Sequence, residues 1–358
     1  MSVSNEGQTP PSPIATVAEL AAMPVHADDQ RWLIGAPAGP TPPPWRMALA
    51  EIGVIRVRGP QAAEFLNGQL TSAIDRLAPG HVGFSAWCSP KGRMLASLWV
   101  AVLAADHFEL LLSRELVTPI ARRLKMFVLR AKVTVEALED ALVPIALLTP
   151  AQPLPLRSLD APMSVSPDGE VLRLRDVQIG DARLQRHLWL PPLAQWQDRW
   201  QALDFAHAVP GDWFRAAEIL AGEARVIGAT SERFVPQMVN FELLGGVDFD
   251  KGCYAGQEVI ARSQNLSRLK RRALPVLCKN KPDPGSDLLD ANGQPVATVV
   301  DQAPATIIGR PDQWLALLET TDDAARAGQA AELGISACEA LDLPYAIPEH
   351  RPFERPRF

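Results

Sequence analysis

The chain has 358 residues, 47% of them hydrophobic and 21% charged, with a formal net charge of −6. That length allows two or three domains with a full core, and the composition is that of an ordinary soluble globular protein. A net-negative chain is not built to coat nucleic acid, and no segment reaches the ~18 apolar residues of a membrane span, so neither direct tRNA binding nor a membrane partner is expected.

Residues 1–45 are rich in Pro, Ala and small polar residues, ending near Pro40-Thr41-Pro42-Pro43-Pro44, and read as a partly flexible segment with a short helix over 17–23. The first 19 residues hold Glu6 and Glu19 but no Lys or Arg, and they lack an apolar core. Neither a secretory signal nor a transit peptide is expected, which leaves the cytoplasm as the expected location. From residue 46 the pattern is globular. Residues 53–59 alternate as a strand, and Pro60 opens a helix through Leu66. Strands follow over 81–88, 94–103 and 107–112, then a helix over 116–127 and a strand over 131–136. That order predicts an α+β sandwich with helices on one sheet face.

Residues 148–169 are Pro-rich and read as a linker or long loop. Short strands are predicted over 172–175 and 186–190, and helices over 193–208 and 212–222, the last with Asp212 as N-cap and Gly222 just past its end. Residues 271–342 carry short β runs between Gly-containing turns and predict a small C-terminal β domain. The last segment, 343–358, has four prolines and reads as an extended tail.

The four cysteines (Cys88, Cys253, Cys278, Cys338) form no C-x-x-C pair, and the six histidines show no ligand spacing. No permanent metal site is expected, and the low cysteine usage fits a reducing compartment. Arg268-Leu269-Lys270-Arg271-Arg272 puts four cations within five residues, a run that most often lies on a solvated face.

The stretch Lys251-Gly252-Cys253-Tyr254-Ala255-Gly256-Gln257-Glu258 sets a thiol beside an ammonium, between two glycines, ahead of a predicted helix. Gly252 and Gly256 allow left-handed backbone or a close approach. Lys251 and the helix N-terminus both favour thiolate over thiol. The same residues also fit a tight turn holding a cysteine as a small hydrophobe. Gln257 and Glu258 suit either ligand contact or helix capping, and Tyr254 suits either stacking on a ligand or the core.

This octapeptide resembles the signature of the YgfZ family of folate-binding, iron–sulfur-maintenance proteins, which is related to the T-protein (aminomethyltransferase) of the glycine cleavage system. Collinear matches run through Phe65-Leu66-Asn67-Gly68-Gln69-Leu70-Thr71, Cys88-Ser89-Pro90-Lys91-Gly92-Arg93-Met94, Phe127-Val128-Leu129-Arg130-Ala131-Lys132-Val133 and Arg233-Phe234-Val235-Pro236-Gln237-Met238-Val239-Asn240. The resemblance implies a three-domain aminomethyltransferase-like fold around a central folate-type opening, with residues 46–270 as two intertwined α+β subdomains and a C-terminal β-barrel. It further implies tetrahydrofolate as cofactor, iron–sulfur enzymes as clients, including tRNA-thiolating ones, and Cys253 as a transient ligand of an iron–sulfur cluster.

Two departures from the relatives matter. The acidic pair that serves the aminomethyltransferase falls at Ala96 and Ser97 here, and neither can take up a proton at neutral pH. The glutamate that pairs with the pterin is lost or displaced to Glu218. The expectation is therefore an accessory factor centred on Cys253 and Lys251, with Gly252, Tyr254, Gly256, Gln257, Glu258, Arg262, Asn240 and Glu218 about the ligand. A folate-dependent one-carbon transferase is the alternative.

Overall fold

The computed structural model describes residues 12–28, 31–35, 39, 41–139, 141–151, 159, 161–265, 270–290, 292–327 and 338–348. Seven α-helices lie among them: α1 (Ser12–Ala21), α2 (Ala62–Asn67), α3 (Arg114–Val128), α4 (Trp196–Gln201), α5 (Asp212–Leu220), α6 (Gln257–Asn265) and α7 (Asp322–Ala327). The strands make three larger sheets and one hairpin, giving an α+β fold.

The first sheet is antiparallel, in the order Val82–Cys88, Met94–Ala104, His107–Ser113, Ile52–Arg58, Thr134–Ala137. Its elements are those the hydrophobic periods predict. Helix α3 covers one face with Leu116, Val117, Ile120, Ala121 and Leu124, spaced at three and four residues as one helical face requires. The approach is close at Gly53, where a Cβ would stand 2.6 Å from a Val117 methyl.

The second sheet centres on Ile145–Pro150, between Ala182–Trp189 and Trp45–Ala48. Short strands Val171–Arg173, Ser164–Val165 and Val177–Ile179 extend one side, and His207–Ala208 pairs in parallel with Trp45–Ala48. Helices α1 and α4 pack on it through Ile14, Val17, Trp196 and Trp200. The Pro-rich N-terminal segment thus contributes α1 and the hairpin Val25–Asp28/Arg31–Ile34, because Ile14, Val17 and Ala18 form an apolar stripe with a core to cover. Residues 1–11 lie outside the described part. The helix predicted over 193–208 is cut to a 3-10 turn, Leu193–Gln195, plus α4. Trp196 stacks on Trp200 with ring centres 5.1 Å apart, and beyond α4 Leu203 and Ala206 reach the same core from turns rather than from a helix.

The C-terminal sheet runs Asp287–Leu289, Pro295–Pro304, Trp314–Thr321, Arg271–Cys278, Cys338–Ala340. It is a half-barrel with two edge strands; among the described residues the ring does not close, so the expected barrel is only half formed. Cys278 and Cys338, opposite each other on neighbouring strands, form a disulfide. Low cysteine usage had pointed to a reducing setting, but two of the four cysteines are paired across 60 residues of sequence. Their partnership is a product of strand register, which cysteine spacing does not carry. Among the described residues no helix is long and apolar enough to cross a membrane.

Candidate functional site

The thiol loop is assembled from sequence motifs far apart in the chain. Two consecutive 3-10 turns, Pro236–Val239 and Phe241–Leu244, each end in a left-handed residue, Asn240 and Gly245. They deliver the chain to the first sheet, where Thr71 donates its hydroxyl to the Gly246 carbonyl at 2.6 Å and accepts the Asp248 amide on its own carbonyl at 2.9 Å. Arg76 clamps the next turn through the Asp248 carboxylate at 3.0 Å and the Asp250 carbonyl at 2.7 Å.

Lys251 then turns inward. Its ammonium donates to the carbonyls of Asn67, Leu70 and Ser72 at 2.5, 2.6 and 2.9 Å, so all three protons are used on the end of α2 and the segment that follows it. The sequence suggested a cation standing beside the thiol; the structure instead gives Lys251 three carbonyl dipoles and the Tyr254 ring, whose centre is 5.0 Å away. Burial pulls its pKa down to about 8, against the pull of Asp75 and Asp248. Tyr254 is buried beside it, and its hydroxyl has no hydrogen-bond partner among the described residues.

Gly256 closes the loop with φ +83°, and a Cβ there would stand 2.5 Å from the Ser89 carbonyl and 2.7 Å from the Gly92 Cα. No side chain fits between the loop and the 89–92 turn. Gly252 is different: its φ is not left-handed and nothing lies within 4 Å of its missing Cβ. Helix α6 begins at once with Gln257, half-buried, followed by exposed Glu258 and exposed Arg262. Cys253, between these fixed points, is exposed. Cys88, the other free thiol, is buried on its strand, and burial pushes its pKa far up.

Two other residues expected near the ligand are engaged elsewhere. Asn240 donates to the Ala273 carbonyl at 2.9 Å and to the Tyr345 hydroxyl at 3.3 Å, tying the loop's base to the C-terminal half-barrel. Glu218 is buried on α5 with both oxygens on Arg225, in a cluster with Glu51 and Arg215. Burial raises its pKa to about 7 in spite of Arg225. At the two positions where acids were expected from the resemblance, Ala96 is buried and the Ser97 hydroxyl accepts the Val226 amide at 2.8 Å.

A cleft of about 540 Å³ lies beside the loop's base, lined by Arg175, Arg183, Glu223, Leu244 and Tyr345 among others. Arg186 grips Glu223 with two bonds of 2.8 and 2.9 Å, and Arg175 adds one of 3.2 Å. Burial alone would raise the Glu223 carboxyl, but the two guanidiniums hold it below the usual carboxylate range. Arg175 also donates to the Leu244 carbonyl at 2.5 Å, which links the cleft to the chain entering the loop. Tyr345, from the segment read as a tail, donates to the Gly222 carbonyl at 2.8 Å and walls one side. Sequence reading missed these residues. The signal was present in cations alternating with leucines over 172–175, a pattern that buries an arginine whenever both strand faces are covered.

Of the run 268–272, Arg268 and Leu269 lie outside the described residues, while Arg271 pairs with Glu319 and Arg272 with Glu242. Among the described residues no three His, Cys, Asp or Glu side chains converge to hold a metal.

The family model described as the GCVT N-terminal domain matches residues 47–185. The "tRNA-modifying protein YgfZ" of Klebsiella pneumoniae is 27% identical over 270 residues, covering 68% of this chain and 75% of the relative. That of Edwardsiella ictaluri is 32% identical over 230 residues, covering 62% and 66%. The crystal structure of aminomethyltransferase T of the glycine cleavage system from Bartonella henselae superposes with a TM-score of 0.66 at 17% identity, over 86% of this chain and 89% of that one. That likeness is one of fold, whereas the YgfZ matches are of sequence. The chain is a YgfZ-family relative of the aminomethyltransferases.

Proposed function

We propose that this protein is a folate-binding accessory factor that supports the assembly or repair of 4Fe–4S clusters in client enzymes, tRNA-thiolating enzymes among them, through Cys253. The observation that carries the reading is an exposed thiol on a loop fixed from three sides. An exposed thiol can meet a macromolecular partner, and a fixed loop presents it at little entropic cost. One cysteine supplies one of the four ligands a cluster needs, so a cluster here is cargo shared with the client. Lys251 acts as a positioning residue, since its ammonium holds the loop to the 67–72 segment. The name of the YgfZ relatives, tRNA-modifying protein, supports clients in tRNA modification.

The cleft suits a folate in size, as small-molecule sites run from about 300 to 1,000 Å³. Arg175 and Arg183 would take the anionic tail. Glu223 is the better acceptor for the pterin edge. A carboxylate accepts about four hydrogen bonds and the arginines use three on Glu223, whereas Glu218 is closed off by Arg225. When bound, tetrahydrofolate supplies a reduced pterin that carries one-carbon units. With Ser97 engaged by Val226 and Ala96 inert, this chain has no proton acceptor at the positions that serve the transferase, which disfavours the one-carbon reading.

The test is rescue of a 4Fe–4S-dependent tRNA methylthiolation in a bacterial strain lacking its own YgfZ-type protein, comparing wild type with Cys253→Ala at matched expression. Rescue by wild type alone is the expected result. Equal rescue by both would remove the thiol from the function and shift attention to the cleft.

A further inference from the structure

The net charge of −6 conceals a strongly uneven distribution. Between residues 122 and 132 the chain carries Arg122, Arg123, Lys125, Arg130 and Lys132 and no acid. All but Arg123 are exposed, and among the described residues none of the five pairs with a carboxylate. The same eleven residues hold Met126, Phe127 and Leu129, exposed by 64%, 46% and 88%. These are three of the seven large hydrophobic side chains exposed among the described residues.

Their arrangement is fixed. The Phe127 ring meets the buried Trp87 edge-on, with centres 6.0 Å apart at 88°, and the Arg123 guanidinium sits 5.6 Å from the Trp87 ring centre. One side of Phe127 is thereby anchored while the ring remains half-exposed. Leu129 follows in a left-handed conformation with φ +46°, which a bulky side chain adopts only at a cost, and its side chain is held out of the core. Trp87 in turn precedes Cys88 and the 89–92 turn that packs against the Cys253 loop.

We infer that the C-terminal end of α3 and the residues to Lys132 form a binding surface for single-stranded RNA. Cations flank the exposed ring on both sides in the chain, so phosphates can be neutralised on either side of a base stacked on Phe127. Basic grooves with aromatic platforms are how single strands are held without sequence readout. An acidic peptide would use the cations and leave the ring idle. An anionic membrane could take only Met126, Phe127 and Leu129, because the apolar stripe of α3 itself, Leu116, Val117, Ile120, Ala121 and Leu124, is buried in the core; vesicles are therefore the competing arm of the test. This inference is independent of the thiol and of the cleft, and its test uses purified protein with neither iron nor folate.

Fluorescence anisotropy with a 12-nucleotide single-stranded RNA, and with bulk tRNA as competitor, reads the surface directly. The four exposed cations, taken as phosphate contacts, give a slope of log affinity on log salt of about −2.8, and Arg122→Gln with Lys125→Gln reduces its magnitude by about 1.4. Phe127→Ala loses roughly tenfold in affinity with little change in slope. Circular dichroism and thermal unfolding check that these surface variants fold as wild type does. No binding at about 50 mM salt, binding that both variants retain in full, or affinity for anionic phosphatidylserine vesicles in place of RNA would each overturn the inference.

Discussion

The thiol loop and the arginine-lined cleft use charge in opposite ways. In the loop a single ammonium, Lys251, is shared among three backbone carbonyls, and the Cys253 thiol two residues on is left in solvent. Behind the cleft, Arg186 is fully buried and is held by Glu223, a cleft-lining carboxylate that is itself buried; Arg215 and Glu51 repeat the arrangement in the neighbouring cluster with Glu218. The loop spends its charge on backbone geometry and keeps its chemistry exposed. The cleft spends its charges on one another, so its shape depends on every member of the set.

That contrast predicts a graded series. Glu223→Ala should be the most damaging change, because it strands Arg186 in the interior; a loss of about 3–5 kcal/mol in urea unfolding is expected. Exposed Glu258→Ala in the loop should change stability by less than about 0.5 kcal/mol, and equal effects at the two sites would dissolve the comparison.

The cleft side should also be the acid-sensitive one. His187 is fully buried beside Arg173 with neither ring nitrogen bonded, and burial, then Arg173, lower its pKa to about 4 from 6.5, against Asp176. The unfolded chain takes up the proton first as pH falls. The contribution is therefore complete above pH 6.5 and is lost on the way down to pH 4, by about 3 kcal/mol. Comparing wild type with His187→Leu by urea unfolding at several pH values isolates this share; identical pH slopes in the two proteins would exclude it.

Lys251→Met should cost about 2–3 kcal/mol, since three carbonyls lose a charged donor. The damage should be local, seen as faster proteolysis near residue 253 with the cleft's unfolding midpoint shifted less than by Glu223→Ala. The smallest effect belongs to the thiol. Cys253→Ala should leave stability within about 0.5 kcal/mol of wild type while abolishing rapid reaction with a disulfide reagent, since Cys88 is buried and its thiol is held protonated. Two rapidly reacting thiols in the native protein would show that the 88 strand opens.

The elements of the first sheet were legible along the chain because each strand and helix carries its own hydrophobic period, and α3 keeps five apolar residues on one face over 15 positions. The thiol loop was legible too, as Gly256 needs a left-handed φ and a neighbour too close for any side chain. What Lys251 does was not legible. Its proximity to Cys253 in sequence suggested an electrostatic partner, but side-chain direction is set by packing, and the carbonyls it reaches lie about 180 residues away. The N-terminal segment was only partly legible for a related reason: a short helix was expected over 17–23, while α1 spans Ser12–Ala21 over a core that Ile145, Leu147, Trp189 and α4 complete from beyond residue 140.

By itself, then, the sequence determined the α+β class, the strand and helix order of the first sheet and the place of the cysteine motif between its two glycines, because each depends on residue type or on spacing within one element. Only the tertiary structure decided that Lys251 is a clamp, that Glu218 is closed off while Glu223 and Arg175 face a cleft, that Cys278 meets Cys338, and that the basic end of α3 stays uncovered. Those outcomes depend on which distant segments are brought together and on how much water remains between them, and a one-dimensional pattern carries neither.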